Sequence, residues 1–127
     1  MKTKDKVVNA LTKFGLMPLE EGGKVHFYFQ MTLYVYIPDE DDQDFVAFYI
    51  PAFYEMSDGE EIEVMNVMNE CNSFMKVTKL LMDKQHVSAA CELFIPDDSD
   101  LEGVVKRGVL ALHQTKEHFE KEMKGLL

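Results

Sequence analysis

Basic residues are scarce in this 127-residue chain: 13 lysines and arginines stand against 23 acidic side chains, for a formal net charge of -10. A surface of that sign repels a nucleic-acid backbone unless a local basic patch reverses the field. Lys2, Lys4 and Lys6 are the nearest thing to such a patch, and they lie among helix-forming residues as a solvated face, so no nucleic-acid partner is expected. Cysteine is equally sparse. Cys71 and Cys91 are separated by twenty positions within apolar segments, with no CxxC or His/Cys ligand spacing, and read as buried free thiols of a reducing compartment. No stretch reaches the length of a membrane span, and Met1 to Leu11 lacks the apolar run of a secretory signal. The expectation is a cytoplasmic protein without a membrane partner.

Short catalytic imprints are missing too. The chain has no GxSxG elbow, P-loop, GxGxxG or HExxH, which removes the families whose mechanism depends on them. The four histidines are scattered, and the nearest pair, His113 and His118, is turned by about 140° on a helix of 3.6 residues per turn. No metal site and no cofactor are therefore expected. Asp39, Glu40, Asp41, Asp42 and Asp44 do not follow the EF-hand order, since Gln43 and Asp44 occupy positions needed for a ligand and the loop glycine. Asp97, Asp98 and Asp100 have a sufficient role as helix caps.

What the chain does have is hydrophobic patterning. Apolar residues make up 46% and charged residues 28%, within the range of a self-folding globular domain, and the length suits a single α+β domain over residues 1–127. Residues 3 to 14 carry Val7, Leu11 and Phe14 on one helical face, with Gly15 as the stop. Pro18 and Gly22-Gly23 leave room for at most a short strand around Leu16 to Glu20. From Val25 to Ile37 apolar and polar or tyrosine positions alternate over thirteen residues, which predicts two strands turning near Gln30 to Thr32. Phe45 to Ile50 is a further strand. Ser57 or Asp58 caps a helix whose apolar stripe is Ile62, Met65, Met68, Cys71 and Met75. Val77 to Asp83 and Val87 to Ile95 form a hairpin, and a long helix with Leu101, Val104, Val105, Leu112, Phe119 and Met123 inside closes the chain. The predicted order is α-β-β-β-α-β-β-α, an antiparallel sheet of about five strands. Tyr36-Ile37-Pro38, Tyr49-Ile50-Pro51 and Phe94-Ile95-Pro96 read as strand ends, because proline cannot donate to a ladder.

Two groups of residues stand out as candidate sites. Continuing the alternation through the first hairpin places Tyr28, Tyr34 and Tyr36 together with His26, Gln30 and Thr32, a tyrosine-rich uncharged face suited to a protein interface. Asn66, Asn69 and Asn72, three apart on the middle helix, form a polar seam that could border a ligand pocket between that helix and the sheet. Nine methionines and fourteen phenylalanines and tyrosines suit adaptable apolar surfaces.

Several strings resemble the bacterial YbjN-type family of proposed sensory transduction regulators. They are Val25-His26-Phe27-Tyr28-Phe29-Gln30, Ile50-Pro51, Val67-Met68-Asn69-Glu70-Cys71-Asn72, Lys76-Val77, His86-Val87 through Glu92, and Phe119-Glu120-Lys121-Glu122-Met123. The resemblance implies a fold like that of type III secretion chaperones, with helices on one face of an antiparallel sheet, and homodimers. It carries over no site residue. The expected function is a non-enzymatic protein-binding or regulatory module that holds a partner or its own twin; the alternative is a small-molecule sensor.

Overall fold

The two-residue link between the second and third strands fixes the layout of everything around it. In the computed structural model, which describes residues 2–95 and 100–125, Gln30 and Met31 both have positive φ, 51° and 61°. That geometry suits a primed hairpin turn whose twist matches the flanking strands. It joins β2 (Lys24–Phe29) to β3 (Thr32–Tyr36) with Phe29 opposite Thr32 and Val25 opposite Tyr36.

The remaining elements are α1 (Thr3–Lys13), β1 (Leu19–Glu21), β4 (Phe45–Glu55), α2 (Glu61–Phe74), β5 (Thr78–Asp83), β6 (His86–Phe94) and α3 (Leu101–Met123). The six strands form one antiparallel sheet in the order β1-β2-β3-β4-β6-β5. The strand beyond the expected five is β1, a three-residue exposed edge too short to announce itself by alternation. β4 also runs past Pro51, which the sequence marks as an end. A register shift between Ile50 and Tyr54, with Ala52 at φ 45°, makes Pro51 part of a bulge, where a missing N–H costs no ladder bond.

All three helices contribute to one core against one face of the sheet. α3 packs on β4, β5 and β6 and touches both α1 and α2. Its inner side is Val105, Gly108, Val109, Leu112, Thr115 and Phe119, all buried, while Leu101, Val104 and Met123 are partly buried at the margin. A Cβ on Gly108 would lie 3.6 Å from the Cys91 sulfur and 3.8 Å from the Phe48 ring, so α3 approaches the sheet closely here. The helix begins on Asp100, whose carboxylate accepts from the Gly103 N–H at 3.1 Å. Asp97 and Asp98, read from sequence as caps, lie outside the described residues.

α2 is rotated relative to its expected stripe. Val64, Met68 and Cys71 face inward at i, i+4 and i+7, whereas Ile62 and Met65 are 76% and 56% exposed. The start of α2 differs as well: Glu60 occupies the cap position, and its carboxylate reaches back to the Ser57 N–H at 2.8 Å and accepts from the Tyr54 hydroxyl at 2.7 Å. Both cysteines are buried as free thiols on the helix-covered side. Burial, followed by nearby glutamates, pushes each thiol up to about 11. Asp39 and Asp42 turn their carboxylates onto the N–H groups of their own loop, at Asp41, Asp42 and Asp44.

Candidate functional site

Because the Gln30–Met31 turn has two residues, odd positions of β2 share a face with even positions of β3. The tyrosine face predicted by unbroken alternation is therefore split. Tyr34 and Tyr36 go inward with Phe27 and Val25 and are 0% and 1% exposed, while Tyr28 goes outward with Leu33 and is 67% exposed. Tyr34 stacks on Phe27 with ring centroids 5.3 Å apart and donates its hydroxyl to the Val109 carbonyl at 3.3 Å, tying β3 to α3. Burial raises both buried phenols, Tyr36 to about 12. Neither can contact a partner without unfolding.

The outward face has no helix packed on it among the described residues. The strand register sets a transverse row across it, Leu19, His26, Val35, Tyr49 and Ala90, uncharged over five strands until Lys79 on β5. Phe45 and Phe94 pair beside this row with ring centroids 5.5 Å apart. Val35, Ala47 and Ala90 are buried by their own neighbours, yet Leu19, Phe94 and Leu81 remain 62%, 71% and 45% exposed. The half-buried His26 has no hydrogen-bond partner for its buried Nδ1. An antiparallel sheet with one solvated face ordinarily alternates apolar and polar. Here the outward face is largely apolar as well, with exposed Glu92 standing between the Tyr49–Ala90 and Phe45–Phe94 pairs. Leu19, Leu81 and Phe94 carry no motif, and the signal that would have found them is their parity once the strand order is known.

A second concavity, a groove of about 670 Å³, opens where α2 leads into β5 and is walled by α3 and Leu93 of β6. Phe74, Val77, Val104 and Leu110 give it an apolar lining. Lys76 and Arg107 stand at it with no acidic partner among the described residues. Thr78 and Thr115, both buried, form its inner polar point, their hydroxyls 2.6 Å apart, with Thr115 donating on to the Ala111 carbonyl at 2.9 Å. Val77 sits at φ 58°, a strained conformation for a β-branched residue, with its side chain 59% exposed at the groove.

None of Asn66, Asn69 and Asn72 lines this groove. Asn66 and Asn69 are exposed. Asn72 is engaged by the sheet instead. Its amide donates to the Leu80 carbonyl at 3.1 Å and accepts from the Leu80 N–H at 2.8 Å, the two outward groups of the edge strand β5. A third grouping escaped the sequence altogether. Glu70 on α2 and His118 and Glu122 on α3 bring one ligand atom each within 4.8 Å of one another.

The fold and the uncovered face together define an α+β protein with a six-stranded antiparallel sheet shielded by three helices on one side only. No family model matches the chain, and no curated protein does. Among solved structures it is similar to YbjN from E. coli, described as a candidate transcription regulator, with a TM-score of 0.72 and 11% sequence identity over 96% of this chain and 93% of that one. At that identity the likeness establishes the YbjN fold. No helix among the described residues is long and apolar enough to cross a membrane.

Proposed function

We propose that this protein is a non-enzymatic binding and regulatory module that holds a protein partner, or a second copy of itself, on the helix-free face of its sheet. One observation carries this reading: an uncharged row crosses five strands of a face that no helix among the described residues covers, flanked by exposed Tyr28, Leu81 and Phe94. Burying apolar area there contributes roughly 25 cal/mol per Å², and tyrosine and phenylalanine supply that area with little loss of side-chain freedom. Both thiols are buried with their protons held tightly, and the groove hydroxyls are bonded to each other, which favours binding over nucleophilic chemistry. A regulatory role fits the YbjN description, and the net charge of -10 favours exerting it through protein contact over direct contact with nucleic acid. Light scattering on the wild type and on Tyr28→Glu/Phe94→Glu, with affinity capture in parallel, tests the reading. The expected result is loss of either a dimer or a captured partner in the variant. A wild-type monomer whose captured proteins are unchanged by the double substitution ends it.

The groove supports a second reading, a small-ligand sensor for an apolar molecule with an anionic end facing Lys76 and Arg107. A thermal-shift series with medium-chain carboxylates tests it. Occupancy at a hundredfold excess over Kd stabilises by about 2.7 kcal/mol, and a shift that persists in Arg107→Gln/Lys76→Gln would remove the groove from consideration.

A further inference from the structure

His118 and Glu122 are four residues apart on α3, a spacing that puts both side chains on one face of the helix. That face meets α2, from which Glu70 projects toward them, and the three ligand atoms lie within 4.8 Å of one another. His118 Nε2 has no accessible surface and no hydrogen-bond partner, and it stands 3.9 Å from the Glu122 carboxylate, beyond hydrogen-bonding range. The ring is held by an edge contact with Phe74, centroids 4.8 Å apart.

A buried imidazole nitrogen lacks a partner, two carboxylates approach it from two different helices, and the whole chain is strongly negative. The geometry points to Glu70, His118 and Glu122 as a three-ligand site for a zinc-class divalent cation that clasps α2 to α3. Zinc bound at about 2.1 Å by nitrogen and oxygen donors sets neighbouring donors about 3.4 Å apart, which small rotations of two glutamates and one imidazole supply. The nitrogen selects against magnesium and calcium, which prefer all-oxygen sets, and three protein ligands leave one position for water or for a group from a partner. His113 and Glu117 supply a built-in contrast. They share the same i, i+4 spacing and approach to 3.0 Å, but no third ligand among the described residues joins them from another element.

Titration of the full chain with zinc by calorimetry, and with cobalt by visible absorption, tests the site. The expected result is one equivalent bound, a d–d spectrum of low-symmetry nitrogen and oxygen ligation, and a rise in Tm. Glu70→Gln and His118→Asn are each expected to weaken binding at least tenfold and cancel the rise in Tm, whereas His113→Asn leaves both unchanged. Glu70 is exposed, so Glu70→Gln keeps the test open if His118→Asn folds poorly. Absence of stoichiometric zinc binding, zinc binding that survives Glu70→Gln and His118→Asn, or magnesium binding of equal strength would each overturn the proposal. So would a Tm for Glu70→Gln that exceeds the wild type by the same amount with and without zinc, which would mark the cluster as a repulsive contact between carboxylates and not a metal site.

Discussion

The two faces of the sheet are built from similar residues and have opposite fates. On the helix-covered side Val25, Phe27, Tyr34, Tyr36 and Phe48 are all at most 1% exposed, while on the other side Tyr28 and Phe94 are 67% and 71% exposed. Hydropathy does not separate them; the helices do. An aromatic residue is core where the helices lie over it and exposed where, among the described residues, none does, so an apolar strand face is a statement of demand for a cover, met here on one side only.

The comparison breaks most visibly if a covered aromatic proves expendable. Phe48→Ala removes a ring in contact with Phe27 and Tyr36 and should lower unfolding free energy by about 3–5 kcal/mol, read from urea midpoints. The next effect is confined to the same side. Cys71 and Cys91 hold their protons up to about 11 against an ordinary 9.0, so the folded form binds them more tightly than the unfolded chain does. Their contribution is intact below pH 9, is lost as pH rises toward 11, and reaches about 2–3 kcal/mol per thiol at most. Urea midpoints that stay level from pH 8 to 11, once tyrosine ionisation is followed by absorbance, would contradict this. Asn72→Ala deletes two hydrogen bonds to the edge of β5 and is expected to cost about 1–2 kcal/mol and to promote self-association at high concentration. At the small end, Tyr28→Ser on the open face should change stability by less than about 0.5 kcal/mol while weakening partner binding; a large destabilisation would show that face to be covered after all.

The sheet, its hairpins and the long final helix were legible because alternation and helical spacing persist for many residues in each. What failed was parity and rotation. Gln30 and Met31 take left-handed conformations without the Asn-Gly or Gly signature that marks a two-residue turn, so the alternation ran through the turn unbroken and put Tyr34 and Tyr36 outside with Tyr28. α2 has apolar residues around much of its circumference, and packing against α3 and β5, rather than pattern, chose Val64 over Ile62 and Met65. Pro51 stopped the strand on paper because a bulge that tolerates proline leaves no local mark. The asparagine seam was visible, but its partner, the Leu80 backbone, has no side-chain signal at all. Glu70 and His118 are 48 positions apart, beyond any spacing rule.

Asn72 also constrains what assemblies this protein can build. By taking the place of a neighbouring strand at Leu80 it ends the ladder on one side, and β1 ends it on the other with three residues. Growth by strand addition, which is head-to-tail and has no natural stopping point, is thereby discouraged. Were two copies to join through the open face, as proposed above, a patch would pair with the same patch in a two-fold arrangement that consumes both surfaces and stops at two. The amide of one asparagine thus works against open-ended growth at this edge of the sheet.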